Sequence, residues 1–323
     1  MALLCLVVLA IAGGSSASRG APPQPPGLTC PPGGLTVRDP AGLRGALETA
    51  APGDVIRLAD GIYPGELTIT SSGTSREPIF LCGSRRAVLD GEHVATYVLH
   101  LNRADWWRLV GFTVRNGRKG VMADRADRNV LAGLLVTGID EEAIHLRTFS
   151  SDNRVVGNVV RATGRRMPRF GEGIYVGSAH DNWCRYTDCR PDRSDRNAIA
   201  GNDIANTRSE SIDIKEGTTG GVVARNRLSG RGMTHADSWI DLKGNGWLVE
   251  RNTGQNSPED GIQTHVVYKG WGRRNLFRRN RLVVNGPGFG IYVDEKRSEN
   301  VVRCDNVVVG AREGLSNIPC RRR

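Results

Sequence analysis

Six short segments repeat one pattern of apolar and polar positions. They read AIHL, GIYV, SIDI, WIDL, GIQT and GIYV, centred on Ile144, Ile174, Ile212, Ile240, Ile262 and Ile291. The isoleucines are 30, 38, 28, 22 and 29 residues apart. A second repeat interleaves with the first, an asparagine three or four residues after an apolar β-former: Val155 then Asn158, Ile199 then Asn202, Val223 then Asn226, Val249 then Asn252, Phe277 then Asn280, Val302 then Asn306. Fixed alternation with one gap of variable length is how a stacked solenoid looks in sequence. Strands of about 4–6 residues cannot bury a face alone. Stacked about 4.8 Å apart, their inward Ile and Val form one long core. Asparagines at the same turn of each coil then pass amide hydrogen bonds up and down the stack. The leucine-and-asparagine spacing of leucine-rich repeats is absent, and Asn-Gly hairpin signals recur at no regular spacing. The pattern predicts an all-β chain folded as a right-handed parallel β-helix.

Strand alternation places the candidate chemistry. If each repeat isoleucine points inward, residues one and three positions later point outward. The first outward column is His145, Tyr175, Asp213, Asp241, Gln263 and Tyr292; the second is Arg147, Gly177, Lys215, Lys243, His265 and Asp294. Two positions before the isoleucines stand Glu142, Glu172, Glu210, Ser238, Asp260 and Phe289. One reading makes these the solvated outer residues of a sheet, where diagonal Asp–Lys pairs contribute a few tenths of a kcal/mol. The other starts from the stacking of like charges, which is costly unless a ligand or metal uses it. The Trp residues at 106, 107, 247 and 271 read as packing or turn residues. Trp239 is expected to project outward beside Asp241. His93, His100, His180 and His235 fit no constellation.

The ends frame this domain. Residues 2–12 form a short apolar run followed by GGSSAS, as in a signal peptide over residues 1–17, so a secreted, extracellular protein is expected, with no membrane span after cleavage. A Pro/Gly-rich lead-in covers 18–33. A single β-helix domain over 34–323 opens with a cap at about 39–52, where Asp39 can N-cap a helix starting at Pro40. Its apolar face would cover the open end of the core. With Cys5 removed, six cysteines remain, and an even number after export suggests disulfides. Cys184–Cys189, Cys304–Cys320 and Cys30–Cys82 are the preferred pairs among fifteen. The net charge of +10 favours an acidic partner. Only 6% of residues are aromatic and no nucleic-acid motif is present, so an acidic polysaccharide is expected rather than a nucleic acid. Nothing in the sequence marks an oligomer, and a monomer is expected.

The whole chain resembles secreted pectate-lyase-like β-helix proteins, on its APGDVIRLADGIYPGELTI segment, asparagine ladder and repeats. More narrowly, Glu210-Ser-Ile-Asp-Ile-Lys215 is similar to the glutamate-to-lysine strand of the alginate lyase and chondroitinase B family of polysaccharide lyases. That resemblance implies Lys215 as Brønsted base. Lys243 would be the basic helper on the next coil, where the family typically has Arg. It also implies Ca²⁺ held by Glu210. The second family glutamate falls at Arg208, so Glu172, with Glu142 beyond it, would have to compensate.

The reaction these residues suit is β-elimination on a uronate-containing polysaccharide. Lys243, Arg147 or Ca²⁺ would neutralise the substrate carboxylate. Lys215 would take the C5 proton if neighbouring Lys243 and burial lower its pKa. His265, Tyr175 or Tyr292 would protonate the leaving oxygen, and His145, Gln263 and Trp239 would line the substrate. Two alternatives stand beside this. A glycoside hydrolase could use Asp213 and Asp241 as its carboxylate pair, and a non-catalytic protein could bind acidic glycans through its basic turns.

Overall fold

The computed structural model describes residues 29–322. The expected signal segment, Cys5 and the lead-in as far as residue 28 lie outside the described residues. The rest is the expected parallel β-helix: three parallel sheets of 11, 10 and 10 strands run its length. The six repeat isoleucines pair in one register, Ile144–Ile174–Ile212–Ile240–Ile262–Ile291. All six are fully buried in one continuous core.

The asparagine ladder lines one turn. Each backbone N–H donates to the next coil's side-chain Oδ1: Asn158 to Asn202, Asn202 to Asn226 and Asn226 to Asn252, each at 2.9 Å. The Nδ2 groups donate to core-strand carbonyls, Asn202 to Val155 and Asn226 to Ile199. The residue before each of these three asparagines is left-handed, Gly157 at φ 63°, Gly201 at 65° and Arg225 at 55°. Glycine adopts this region freely, whereas Arg225 depends on its surroundings to hold it.

A second ladder brackets the other end of the same strands, Asn129–Asn153–Asn197 and Asn275–Asn300. The sequence reading missed it because the column is broken at Gly221 and Trp247. There Trp247 fills the space that a side chain at Gly221 would need.

The N-terminal cap is a helix, Pro40–Thr49, with Asp39 accepting from the Gly42 N–H at 2.8 Å. Its buried Leu43, Ala46 and Leu47 close the core. Leu35–Val37 already pairs with Val55–Leu58, so the helix lies within the first coil. The three expected disulfides form, Cys30–Cys82, Cys184–Cys189 and Cys304–Cys320. No helix among the described residues is long and apolar enough to cross a membrane.

One expectation is corrected. Trp239 does not project beside Asp241; it is fully buried and donates from Nε1 to the Gln255 carbonyl at 3.2 Å. Gly254 stands where the neighbouring coils place Leu228 and Leu282. A Cβ on Gly254 would meet the indole at 2.3 Å. The indole therefore occupies core volume that the adjacent coil leaves empty.

Asn226→Ala should lower unfolding free energy by about 3 kcal/mol, because the Asn202 N–H and the Ile199 carbonyl lose buried partners. Chemical denaturation checks this, and a loss below about 0.5 kcal/mol would show that the ladder contributes little.

Candidate functional site

The outer face of the isoleucine-bearing sheet carries the candidate site. Register sets His145 beside Tyr175, Tyr175 beside Asp213, Asp213 beside Asp241, Asp241 beside Gln263, and Gln263 beside Tyr292. Two carboxylates on adjacent strands would repel, and the lysines that follow them intervene. Lys215 Nζ lies 2.6 Å from Asp213 Oδ2. Lys243 Nζ lies 3.0 Å from Asp213 Oδ1 and also bonds Asp241 Oδ2. His265 Nδ1 reaches Asp241 Oδ1 at 2.8 Å. The result is a row of alternating charge across three coils: Lys215, Asp213, Lys243, Asp241, His265.

This row sets the protonation states. Burial opposes the Lys215 ammonium, but the charge and hydrogen bond of Asp213 outweigh it and hold its pKa above the ordinary lysine value. Lys243 is raised likewise, burial being overcome by Asp213 and Asp241. The expected lowering of Lys215 by Lys243 is thus corrected: the nearest charges are carboxylates, and their attraction is stronger. Asp241 is pushed below the ordinary carboxylate range, because Lys243 and His265 overcome its burial. His265 is raised chiefly by its hydrogen bond to Asp241.

The N-terminal edge of the site has too little positive charge. Burial, then Asp213 and Asp241, push Glu210 up to about 7. Glu172 is raised further by burial and by Glu142, Asp213 and Glu210. Its buried Oε2 has no hydrogen-bond partner. Glu172, Glu210 and Asp213 place one oxygen each within 4.8 Å of the others, an acidic cluster. Glu142 is not part of it, which corrects its grouping with Glu172 and Glu210: Lys119 takes its Oε2, and its Oε1 faces His145 Nδ1 at 3.5 Å. Burial opposes the charge on Glu142, and His145 with Lys119 bring its pKa down to about 2.

Tyr175 stacks against His145 with ring centroids 4.3 Å apart, and Lys215 Nζ stands 5.0 Å from the Tyr175 ring centre. Burial, then Asp213 and Glu172, keep the Tyr175 hydroxyl protonated far above its usual pKa. His145 Nε2 contacts the Gly177 carbonyl at 2.9 Å, which requires a proton on Nε2. Gln263 donates to Asp260 at 2.7 Å. Tyr292 lies at the far end, 6.3 Å from Phe289 between ring centroids.

Arg147 is already committed. Its Nε and Nη2 grip Asp124 at 2.8 and 3.1 Å, and its guanidinium lies 4.0 Å from the Tyr186 ring centre. Asp124, which also contacts His100 at 3.0 Å, was missed. Extending the second outward column one coil towards the N-terminus would have found it, since Asp124 pairs with Arg147 in register. An insertion, residues 177–196, follows the strand that carries Tyr175. It seats Asp192, buried, under the N–H groups of Thr148 and Phe149 at 2.9 Å.

Among solved structures, an alginate lyase from Paenibacillus sp. str. FPU-7 superposes with a TM-score of 0.81 and 31% identity, over 87% of this chain and 97% of that one. Pectate lyase Pel9A matches with a TM-score of 0.59 at 15% identity, over 85% of this chain and 72% of that one. A lacto-N-biosidase from Eubacterium ramulus matches with a TM-score of 0.51 at 13% identity, over 84% and 63%. The last two are similar in fold alone. No protein-family profile and no curated protein matches the sequence.

Glu210 supplies a pH test. Its pKa rises from 4.5 to about 7 on folding, so the native state binds the extra proton. Stability must then fall as pH rises from about 4.5 to about 7. Glu210→Gln should raise the melting temperature at pH 8 by a few degrees, at about 2–4 °C per kcal/mol for a chain of this size. The gain should vanish below about pH 4.5. Thermal scans at the two pH values check it; an equal shift at both would point to packing instead.

Proposed function

The chain belongs to the pectate-lyase-like, parallel β-helix polysaccharide lyases, and from that premise we propose that it cleaves a uronate-containing polysaccharide by β-elimination. The observation that carries the reading is the alternating Lys–Asp row beside a half-buried Tyr175 whose hydroxyl keeps its proton. Alginate is the first candidate substrate, on the 31% identity to the Paenibacillus alginate lyase. The three disulfides suit a secreted enzyme.

The cleft divides the chemistry as follows. Lys243 and the protonated members of the Glu172–Glu210 pair receive the uronate carboxylate, the ammonium by charge and the carboxylic acids by hydrogen bonds. Withdrawal of charge from that carboxylate makes the C5 proton acidic. The base is the amine form of Lys215, reached when the ammonium loses its proton to water at a pH that Asp213, 2.6 Å away, sets higher. The C5–H bond then breaks, its electrons form the C4–C5 double bond, and the C4–O bond breaks. Tyr175 donates its proton to the leaving oxygen. The Lys215 ammonium, 5.0 Å from the Tyr175 ring centre, is placed to return one.

Asp213 has both oxygens engaged by ammonium groups. Calcium takes about 6–8 oxygen ligands, whereas the cluster offers Glu172 and Glu210 beside two cations. That donor set does not fit Ca²⁺, and no step is routed through it. The hydrolase alternative needs Asp213 or Asp241 to serve as a proton donor. Both share the Lys243 ammonium, and Asp241 is held ionised.

The test is ultraviolet absorbance of the protein incubated with alginate, pectate and chondroitin, with calcium and with chelator. An unsaturated product should form on alginate at equal rates in both buffers. Lys215→Ala should reduce the rate by about 10²-fold or more. Reducing ends without new absorbance would favour a hydrolase, and no product from any chain would favour a binding protein.

A further inference from the structure

Two loops leave the C-terminal end of the site strands and meet above them. The 177–196 insertion follows Ile174–Val176, and a second loop, 266–272, follows Asp260–Thr264. Their rings pack together. Tyr268 lies 5.1 Å from His180 and 5.2 Å from Trp183 between ring centroids.

The insertion is firmly held. Glu216, buried directly after Lys215, accepts from His180 N at 2.6 Å and contacts His180 Nδ1 at 2.8 Å. Trp183 Nε1 donates to the Ser178 carbonyl at 3.0 Å, and its indole lies 3.1 Å from the Cβ that Gly217 lacks. The Cys184–Cys189 disulfide clips the turn that carries Tyr186, and Tyr186 stacks on Arg147. The 266–272 loop is tied to the Lys243 coil, where the Gly272 N–H donates to the Lys243 carbonyl at 2.8 Å.

Despite this anchoring, the wall leaves apolar surface in water. Tyr268 is 45% exposed and Val267 44%. Cations stand among the rings. Arg185 lies 5.1 Å from the Tyr186 ring centre, and Lys269 follows Tyr268 in the chain. A hexuronate ring has a face of C–H groups and a carboxylate on its edge. A rigid aromatic surface suits the face, and flanking cations suit the carboxylate. The wall is continuous with the lysine row through Glu216 and the Lys243 carbonyl.

We infer that Tyr268, backed by His180 and Trp183 and flanked by Lys269, forms a uronate-stacking subsite that holds a sugar residue beside the bond being cleaved. Tyr268 is a specificity-determining residue here and takes no part in proton transfer. The inference rests on the lyase reading for its substrate class.

The experiment compares wild type, Tyr268→Ala and Tyr268→Phe on alginate hexamers and galacturonate hexamers. Tyr268→Ala should raise KM about tenfold with kcat within about twofold, and Tyr268→Phe should behave as wild type. Calorimetric titration of hexamers into Lys215→Ala and Lys215→Ala/Tyr268→Ala should show the same tenfold weakening without turnover. KM and Kd unchanged in the Tyr268→Ala backgrounds would overturn the subsite and leave the lyase reading intact. Tenfold weaker binding with no turnover by wild type would support the subsite as a uronate binder and overturn the lyase reading. Failure of wild type to bind or cleave either hexamer would overturn both.

Discussion

Parallel stacking puts equivalent positions of successive coils about 4.8 Å apart, and on the outer face that spacing sets Asp213 against Asp241. The pair is tolerable because Lys243 returns across the strand to bond both carboxylates, while Lys215 and His265 close the row at either end. Everything else at the site follows from that arrangement. The lysines stay charged and Asp241 stays ionised. The surplus negative charge falls on Glu172 and Glu210, which retain protons above the usual carboxylate range. Breaking a buried pair by removing one partner costs about 3–5 kcal/mol, so the row also fixes its own geometry. In a polysaccharide lyase, such a face presents cations and carboxylic acids to an anionic chain before any chemistry occurs.

The interior supports this face. The asparagine ladders tie down the turns at the two ends of one strand in the coils they span, which holds those coils in register. Uniform register is what turns sequence spacing into columns of side chains. Where the core departs from uniformity the compensation is local. Trp239 fills the volume vacated at Gly254, and Trp247 the volume at Gly221.

Much of this was legible in the sequence because the side-chain period of a strand is two. Repeat isoleucines, the outward columns and the first asparagine ladder are regular enough to read directly. What was hidden has physical causes. The second ladder is interrupted in its middle by glycine and tryptophan. Trp239 has the parity of an outward residue, and only the missing side chain at Gly254 in the next coil explains its burial. Arg147 pairs with Asp124, which stands one coil before the run of repeats that was aligned. The protonation of Lys215 depends on which neighbour is nearer, Asp213 or Lys243, and sequence spacing does not resolve distances of 2–3 Å. The aromatic wall joins two loops more than 70 residues apart, Trp183 to Tyr268, and no local pattern announces it.

The central claim is that Asp213 governs the proton on Lys215. The most direct measurement is the pH dependence of turnover for wild type and Asp213→Asn on the substrate that wild type cleaves. Removing the carboxylate removes the interaction that raises the lysine. The limb at which activity rises with pH should therefore move to lower pH in Asp213→Asn, at whatever maximal rate the variant retains. A limb that stays in place, or moves to higher pH, would contradict the account.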